Sequence, residues 1–144
     1  MVTHCQGDGQ AEVDLLARFW SQFQSCLTAG RKLVGFNCHG FDVPFIVQRS
    51  WILNVPVPSS VFTANGYIES TFVDLMKLWN CNSRQAYSSL DVVCRACGIG
   101  AKPDGVDGAM FHQLFAAAET RGQAIEYLVN DLDMTWKLAE RLGV

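Results

Sequence analysis

Apolar side chains recur along the first part of the chain at the spacing of an α-helix. Val13, Leu15, Leu16, Phe19, Trp20, Phe23 and Leu27 share this spacing, which predicts a helix from Ala11 to Leu27. Glu12 and Asp14 lie in its first turn, where the helix dipole favours acids, and Gly30 follows as a stop. The pattern then changes. Leu33 to Asn37 is a short apolar run of the kind a buried strand shows. Phe41 to Trp51 returns to helix, with Pro44 near a first turn whose amides have no helical partner to lose.

Beyond this point the punctuation is denser. Asn54 to Asn65, with Pro56 and Pro58, reads as an irregular connection, and Asn65-Gly66 marks a tight turn. Thr71 to Asp74 predicts a brief strand leading into a helix from Leu75 to Trp79, followed by a polar loop from Asn80 to Gln85. Ser88 or Ser89 can cap a helix from Leu90 to Cys97. A glycine-rich segment, GIGAKPDGVDG, separates it from two further helices, Ala109 to Ala118 and Gln123 to Leu142. Val2 to Cys5 reads as the end of a strand. Alternating helices and short strands make this an α/β layer architecture. The strands are few and short for so many helices, so the expectation is the later part of a domain whose larger sheet begins upstream.

Composition narrows the function classes. A length of 144 residues predicts one domain with its own core, and with 49% hydrophobic against 17% charged residues either much of the chain is buried or some apolar surface expects cover. A net charge of -3 excludes nonspecific nucleic-acid binding by bulk electrostatics, but not a nuclease whose metal ions neutralise phosphate locally. No run of 18 apolar residues predicts a membrane span, and Met1 to Gln10 has no signal-peptide pattern, so a cytoplasmic protein is expected. Six cysteines without a secretion signal argue against a disulfide scaffold. Cys94 and Cys97 share one helix face without a second ligand pair nearby, and small buried thiols suit them better than zinc. The glycine-rich segment lacks the spacing of a nucleotide-binding P-loop.

The chemistry-bearing candidates are few. Asn37, His39 and Asp42 fall just after the strand, at the edge where open α/β sheets bind their ligands. Asp42 is either a metal-binding carboxylate or a simple N-cap or first-turn acid. Tyr127 and Asp131 are four residues apart and share a helix face. They are either a water-orienting tyrosine beside a metal ligand or a core tyrosine beside a surface acid. Lys102 can touch a phosphate as a flexible point charge or sit solvated in its loop. Asp74 and Asp91 suit structural capping, and Trp20, Trp51, Trp79 and Trp136 suit packing.

Taken in order, these segments resemble the DEDD 3'-5' exonucleases of the ribonuclease H-like fold. The likeness is to predicted exonucleases related to the proofreading domain of family B DNA polymerases. NCHGFDVPFI looks like the second motif of that family, with Asn37 and Asp42 at its asparagine and aspartate. YLVND looks like the third motif of the tyrosine subclass, with Tyr127 and Asp131. VDLM, SLD and GIGAKPDGVDG between them follow the same order. The resemblance implies two-metal hydrolysis of phosphodiester bonds at 3' ends of single-stranded DNA, or of RNA, with magnesium or manganese. It implies Asp42 and Asp131 as metal ligands, Tyr127 as the residue orienting water, and Asn37 and His39 as residues that position the terminal nucleotide or shape its pocket; Lys102 remains a candidate substrate contact from its place in the glycine-rich segment. The family's other two ligands come from an Asp-x-Glu motif on the first strand, and no Asp-x-Glu occurs in this chain. The expectation is therefore a ribonuclease H-like domain lacking the first strands of its sheet, with weakly held metal and severely reduced activity. An exposed sheet edge would favour a homo-oligomer. The alternative is a noncatalytic nucleic-acid-binding or scaffolding module that keeps the fold.

Overall fold

Trp20 carries a polar nitrogen on a large apolar ring, and the first helix places it where that nitrogen must find a partner. In the computed structural model, which describes residues 9–68, 71–83, 87–101 and 111–144, this helix (α1) spans Gly9–Thr28. It buries Leu16, Trp20 and Phe23 on one face. Residues Val2 to Cys5, Asp8, Lys102, Asp104 and Asp107 lie outside the described residues. The backbone forms two compact units, Met1–Asp74 and Leu75–Val144.

In the first unit α1 packs on α2 (Asp42–Ile52), which turns Val43, Val47 and Ser50 inward. Their shared core includes Cys38, Val55, Val61 and Phe72. Trp20 Nε1 donates to Ser50 Oγ at 2.9 Å, and Ser50 Oγ donates onward to the Ile46 carbonyl at 2.8 Å. Ser50 is fully buried, so Ser50→Ala takes a partner from a buried indole N–H. The expected loss of unfolding free energy is about 1–3 kcal/mol, measured by urea denaturation. Nearer the helix ends, the Arg49 guanidinium donates to both oxygens of Glu12 at 2.8 Å, a fork-on-carboxylate pair joining α2 to α1.

Two strands, β1 (Leu33–Gly35) and β2 (Phe72–Asp74), pair in parallel, with Leu33 opposite Phe72 and Gly35 opposite Asp74. Parallel neighbours need a crossover, and α2 lies within it. The connection after α2 adds a 3-10 turn at Ser59–Val61 and a bridge between Phe62 and Ile68, closed by a turn in which Gly66 has φ 77°.

The second unit begins directly after β2 with α3 (Leu75–Trp79) and continues with α4 (Leu90–Ala96), α5 (Phe111–Ala116) and α6 (Arg121–Leu142). Ser89 caps α4 by accepting from the Val92 amide, so of the two candidate serines it is the cap. The helices α3, α4 and α5 each contact α6, which buries Ala124, Tyr127, Met134, Leu138 and Ala139. Gly143, at φ 75°, ends α6 in the left-handed conformation common at helix C-termini. Among the described residues, no helix is long and apolar enough to cross a membrane.

Three expectations need correction. The strand expected through Asn37 ends at Gly35, because Asn37 turns to φ 58° and leaves the extended region. The helix expected through Ala118 ends at Ala116, where the Thr120 hydroxyl takes the Leu114 carbonyl and the chain turns. Trp51 and Trp136 are not core residues but are 60% and 64% exposed, although the Trp51 ring lies 6.2 Å from that of Phe62. Trp136 stands on a face of α6 turned away from its buried residues, while Trp51 flanks the buried face of α2, one turn after Val47 at the end of the helix.

Candidate functional site

The segment after β1 has to reverse direction within a few residues and deliver a carboxylate at the start of α2. Its geometry follows from two glycines and an asparagine. A Cβ on Gly35 would stand 2.7 Å from Cys38 Cβ and 3.2 Å from its Sγ, so only glycine lets the turn fold back this closely. A Cβ on Gly40 would meet Asn37 Oδ1 at 2.5 Å, so the Asn37 side chain lies over the bare backbone of Gly40. Asparagine is the side chain that best tolerates the φ of 58° at position 37. Gly35→Ala should destabilise the chain by about 1–3 kcal/mol through overpacking. Cys38→Ala keeps its Cβ and should not rescue it, which a denaturation series on the single and double variants checks.

Asp74 anchors the turn. It is buried, and its two carboxylate oxygens accept the backbone amides of Asn37 and His39, each at 3.0 Å. The His39 ring nitrogen Nε2 meets the Phe72 carbonyl, and Cys38 Sγ meets the Val73 carbonyl at 3.7 Å. The Asn37 carbonyl accepts the amides of Gly40 and Phe41, and the Cys38 carbonyl accepts that of Val43. Asp42 thereby enters the first turn of α2 with Phe41 at the cap position, where the side chain makes no capping bond. Asp42 is thus a first-turn acid of α2 and not its N-cap.

Burial, joined by the nearby Asp74 charge, raises the Asp42 pKa above the usual carboxylate value, while its own backbone amide opposes the shift. Burial also pushes the Cys38 thiol up to about 12, with the Asp74 and Asp42 carboxylates adding to it. Cys38 is therefore a protonated packing residue and not a nucleophile. Two carboxyl groups at the end of a strand pair create a negative field that a cation would relieve. Asp74 has both oxygens engaged by amides, so of these two carboxyl groups Asp42 is the candidate for a metal ion.

In the second unit Tyr127 and Asp131 lie one turn apart on α6. Tyr127 is buried with its ring 6.4 Å from Phe111, in a cluster with Ala124, Leu114, Phe115 and Leu128. Asp131 is half-buried with its Oδ1 shielded from solvent, and its carbonyl accepts the Thr135 hydroxyl at 2.7 Å. Asn130, also polar, has its amide nitrogen 3.4 Å from Met134 Sδ. Among the described residues no group of three or more His, Cys, Asp or Glu side chains could hold a metal ion.

Asp74 and Phe41 carry roles that spacing alone does not announce. Asp74, read as a structural cap, serves the turn after β1 from the carboxyl end of the second strand. Phe41, beside Asp42, is 65% exposed and stacks on Phe45 with ring centroids 6.4 Å apart. An exposed stacked phenylalanine pair next to an acid is a surface on which a nucleobase can lie.

A family model described as a predicted 3'-5' exonuclease related to the exonuclease domain of PolB matches residues 1–142. No curated protein and no solved structure matches the chain. Asn37 and Asp42 on their turn, and Tyr127 and Asp131 on α6, thus stand within a match that runs nearly end to end, and the chain belongs to the family of predicted 3'-5' exonucleases related to the exonuclease domain of PolB.

Proposed function

We propose that this 3'-5' exonuclease-like domain engages 3' ends of single-stranded DNA and hydrolyses their terminal phosphodiester bond slowly. The observation that carries the reading is the ordered motif pair NCHGFDVPFI and YLVND within a family match over residues 1–142. In this reading the fold is ribonuclease H-like with an incomplete central sheet, and the two-stranded parallel sheet of the first unit is compatible with it. Asp42 and Asp131 would hold magnesium or manganese. When bound, such ions supply an activated water and stabilise the leaving 3' oxygen. Tyr127 orients the attacking water. Asn37 and His39 shape the pocket for the terminal nucleotide, Phe41 and Phe45 offer its base a stacking surface, and Lys102 contacts a phosphate.

The chain has no Asp-x-Glu, so two of the family's four acidic ligands are missing and metal affinity is low. That same absence favours a second reading, in which the domain binds 3' ends without cleaving them. Digestion of a 3'-labelled single strand in manganese decides between the two. Release of 3' nucleotides that stops with chelator and with Asp131→Asn supports the enzyme. Binding of the strand that persists in chelator, without any release, supports the noncatalytic module and overturns hydrolysis.

A further inference from the structure

The turn between β1 and α2 is fastened to β2 one residue at a time. His39 reaches the Phe72 carbonyl through its ring, Cys38 reaches the Val73 carbonyl through its sulfur, and Asn37 and His39 reach the Asp74 side chain through their amides. These contacts lie within Met1–Asp74. From them we infer that Asp74 is a positioning residue. By accepting the Asn37 and His39 amides it sets the turn that delivers Asp42 at the first turn of α2. The inference rests on Asp42 being a ligand, as proposed above, and adds the residue through which that ligand is placed.

Three features separate Asp74 from an ordinary strand-end acid. It is 4% exposed, and a carboxylate so buried requires donors. The donors it finds are the backbone amides of residues on both sides of Cys38, so one side chain fixes the two peptide planes that flank the Asn37–Cys38 peptide. The turn it fixes contains Asn37 at φ 58°, a conformation that needs support from outside its own dihedral preferences. The fastening also continues into the helix. The Asn37 carbonyl, whose orientation follows from the adjoining planes, takes the Phe41 amide, and the Cys38 carbonyl takes that of Val43. Asp42 lies between these two recipients. An asparagine at position 74 could accept only one amide while turning its own NH2 toward the other.

The experiment is residue-resolved amide hydrogen exchange by NMR on the full chain and on Asp74→Asn. In the wild type the Asn37 and His39 amides should be protected. In the variant their exchange should rise roughly 30-fold, as expected for a lost charge-assisted bond, together with a shift of the Asp42 and Val43 amide signals. The amides of the middle of α1, around Phe23, should keep their protection. Unprotected Asn37 and His39 amides in the wild type would overturn the inference. So would a rise spread equally over α1, because that reports a general structural role. If Asp74→Asn does not fold, Asp74→Glu is read by the same criteria, since it keeps the charge and displaces the oxygens by one methylene. A manganese titration of the same samples separates this inference from the one beneath it. Line broadening at Asp42 in the wild type, weakened in Asp74→Asn, supports both. No broadening at Asp42 in the wild type counts against Asp42 as a ligand, while the exchange data still decide whether Asp74 holds the turn.

Discussion

Phe23→Ala is expected to lower the unfolding free energy by about 3–5 kcal/mol. Phe23 is fully buried, and its ring stacks on Phe72 at 4.9 Å with the planes 7° apart. The Trp20 ring meets it edge-on at 5.8 Å. Alanine would lose the apolar burial and leave a cavity under β2, because neighbours in a close-packed interior relax only partly. For a domain with roughly 5–15 kcal/mol of total stability the loss takes a large share. Phe72 stands two residues from Asp74 in β2, so the turn bearing Asp42 should loosen as well. Urea denaturation measures the loss. Leu15→Ala on the same helix is the control, since Leu15 is largely solvent-facing and should change stability by no more than about 0.5 kcal/mol. Equal effects at the two positions would show that α1 does not use the buried face described above.

Asp42→Asn should raise stability near neutral pH and remove the response to metal. Burial, with the Asp74 charge, lifts the Asp42 pKa above its ordinary value. An acid with a raised folded-state pKa holds its proton more tightly in the folded chain than in the unfolded one. Between the two pKa values the folded chain carries more protons, so stability falls as pH rises through that window. Above the window the ionised group costs stability, and the neutral asparagine amide avoids that cost. The thermal midpoint of Asp42→Asn should therefore exceed that of the wild type near neutral pH. The difference should shrink as pH falls toward the ordinary carboxylate range, where the wild-type group is itself protonated. Manganese should act in the opposite sense. At ten times its dissociation constant it would stabilise the wild type by about 1.4 kcal/mol and leave Asp42→Asn unchanged. A lower midpoint in the variant at neutral pH would mean that Asp42 is held by favourable partners and is not waiting for a cation.

The fold was legible where one residue pattern served one local purpose. The apolar spacing from Val13 to Leu27 predicted α1, since a helix that buries one face must repeat at that period. Ser89 before Leu90 predicted the start of α4, since a serine hydroxyl can satisfy an amide there. The brief strand at Thr71 to Asp74 and the helix from Leu75 were also readable, to within one residue. Ends set by tertiary contacts were not. Nothing local to Asn37 announces that its amide will be taken by Asp74, 37 residues later. Nothing local to Thr120 announces that its hydroxyl will take the Leu114 carbonyl and end α5.

For the site the division is sharper. The sequence by itself determined the membership that Asn37, Asp42, Tyr127 and Asp131 signal, because side-chain chemistry at set spacings survives in a linear string. It also determined what is missing, since an absent Asp-x-Glu is a property of that string. Only the tertiary structure decided that Asp42 is a first-turn acid with a raised pKa, that Cys38 is an inert thiol, and that Asp74 serves the turn. Those properties depend on burial and on which charges and amides come within bonding distance, and neither is carried by residue identity or spacing alone.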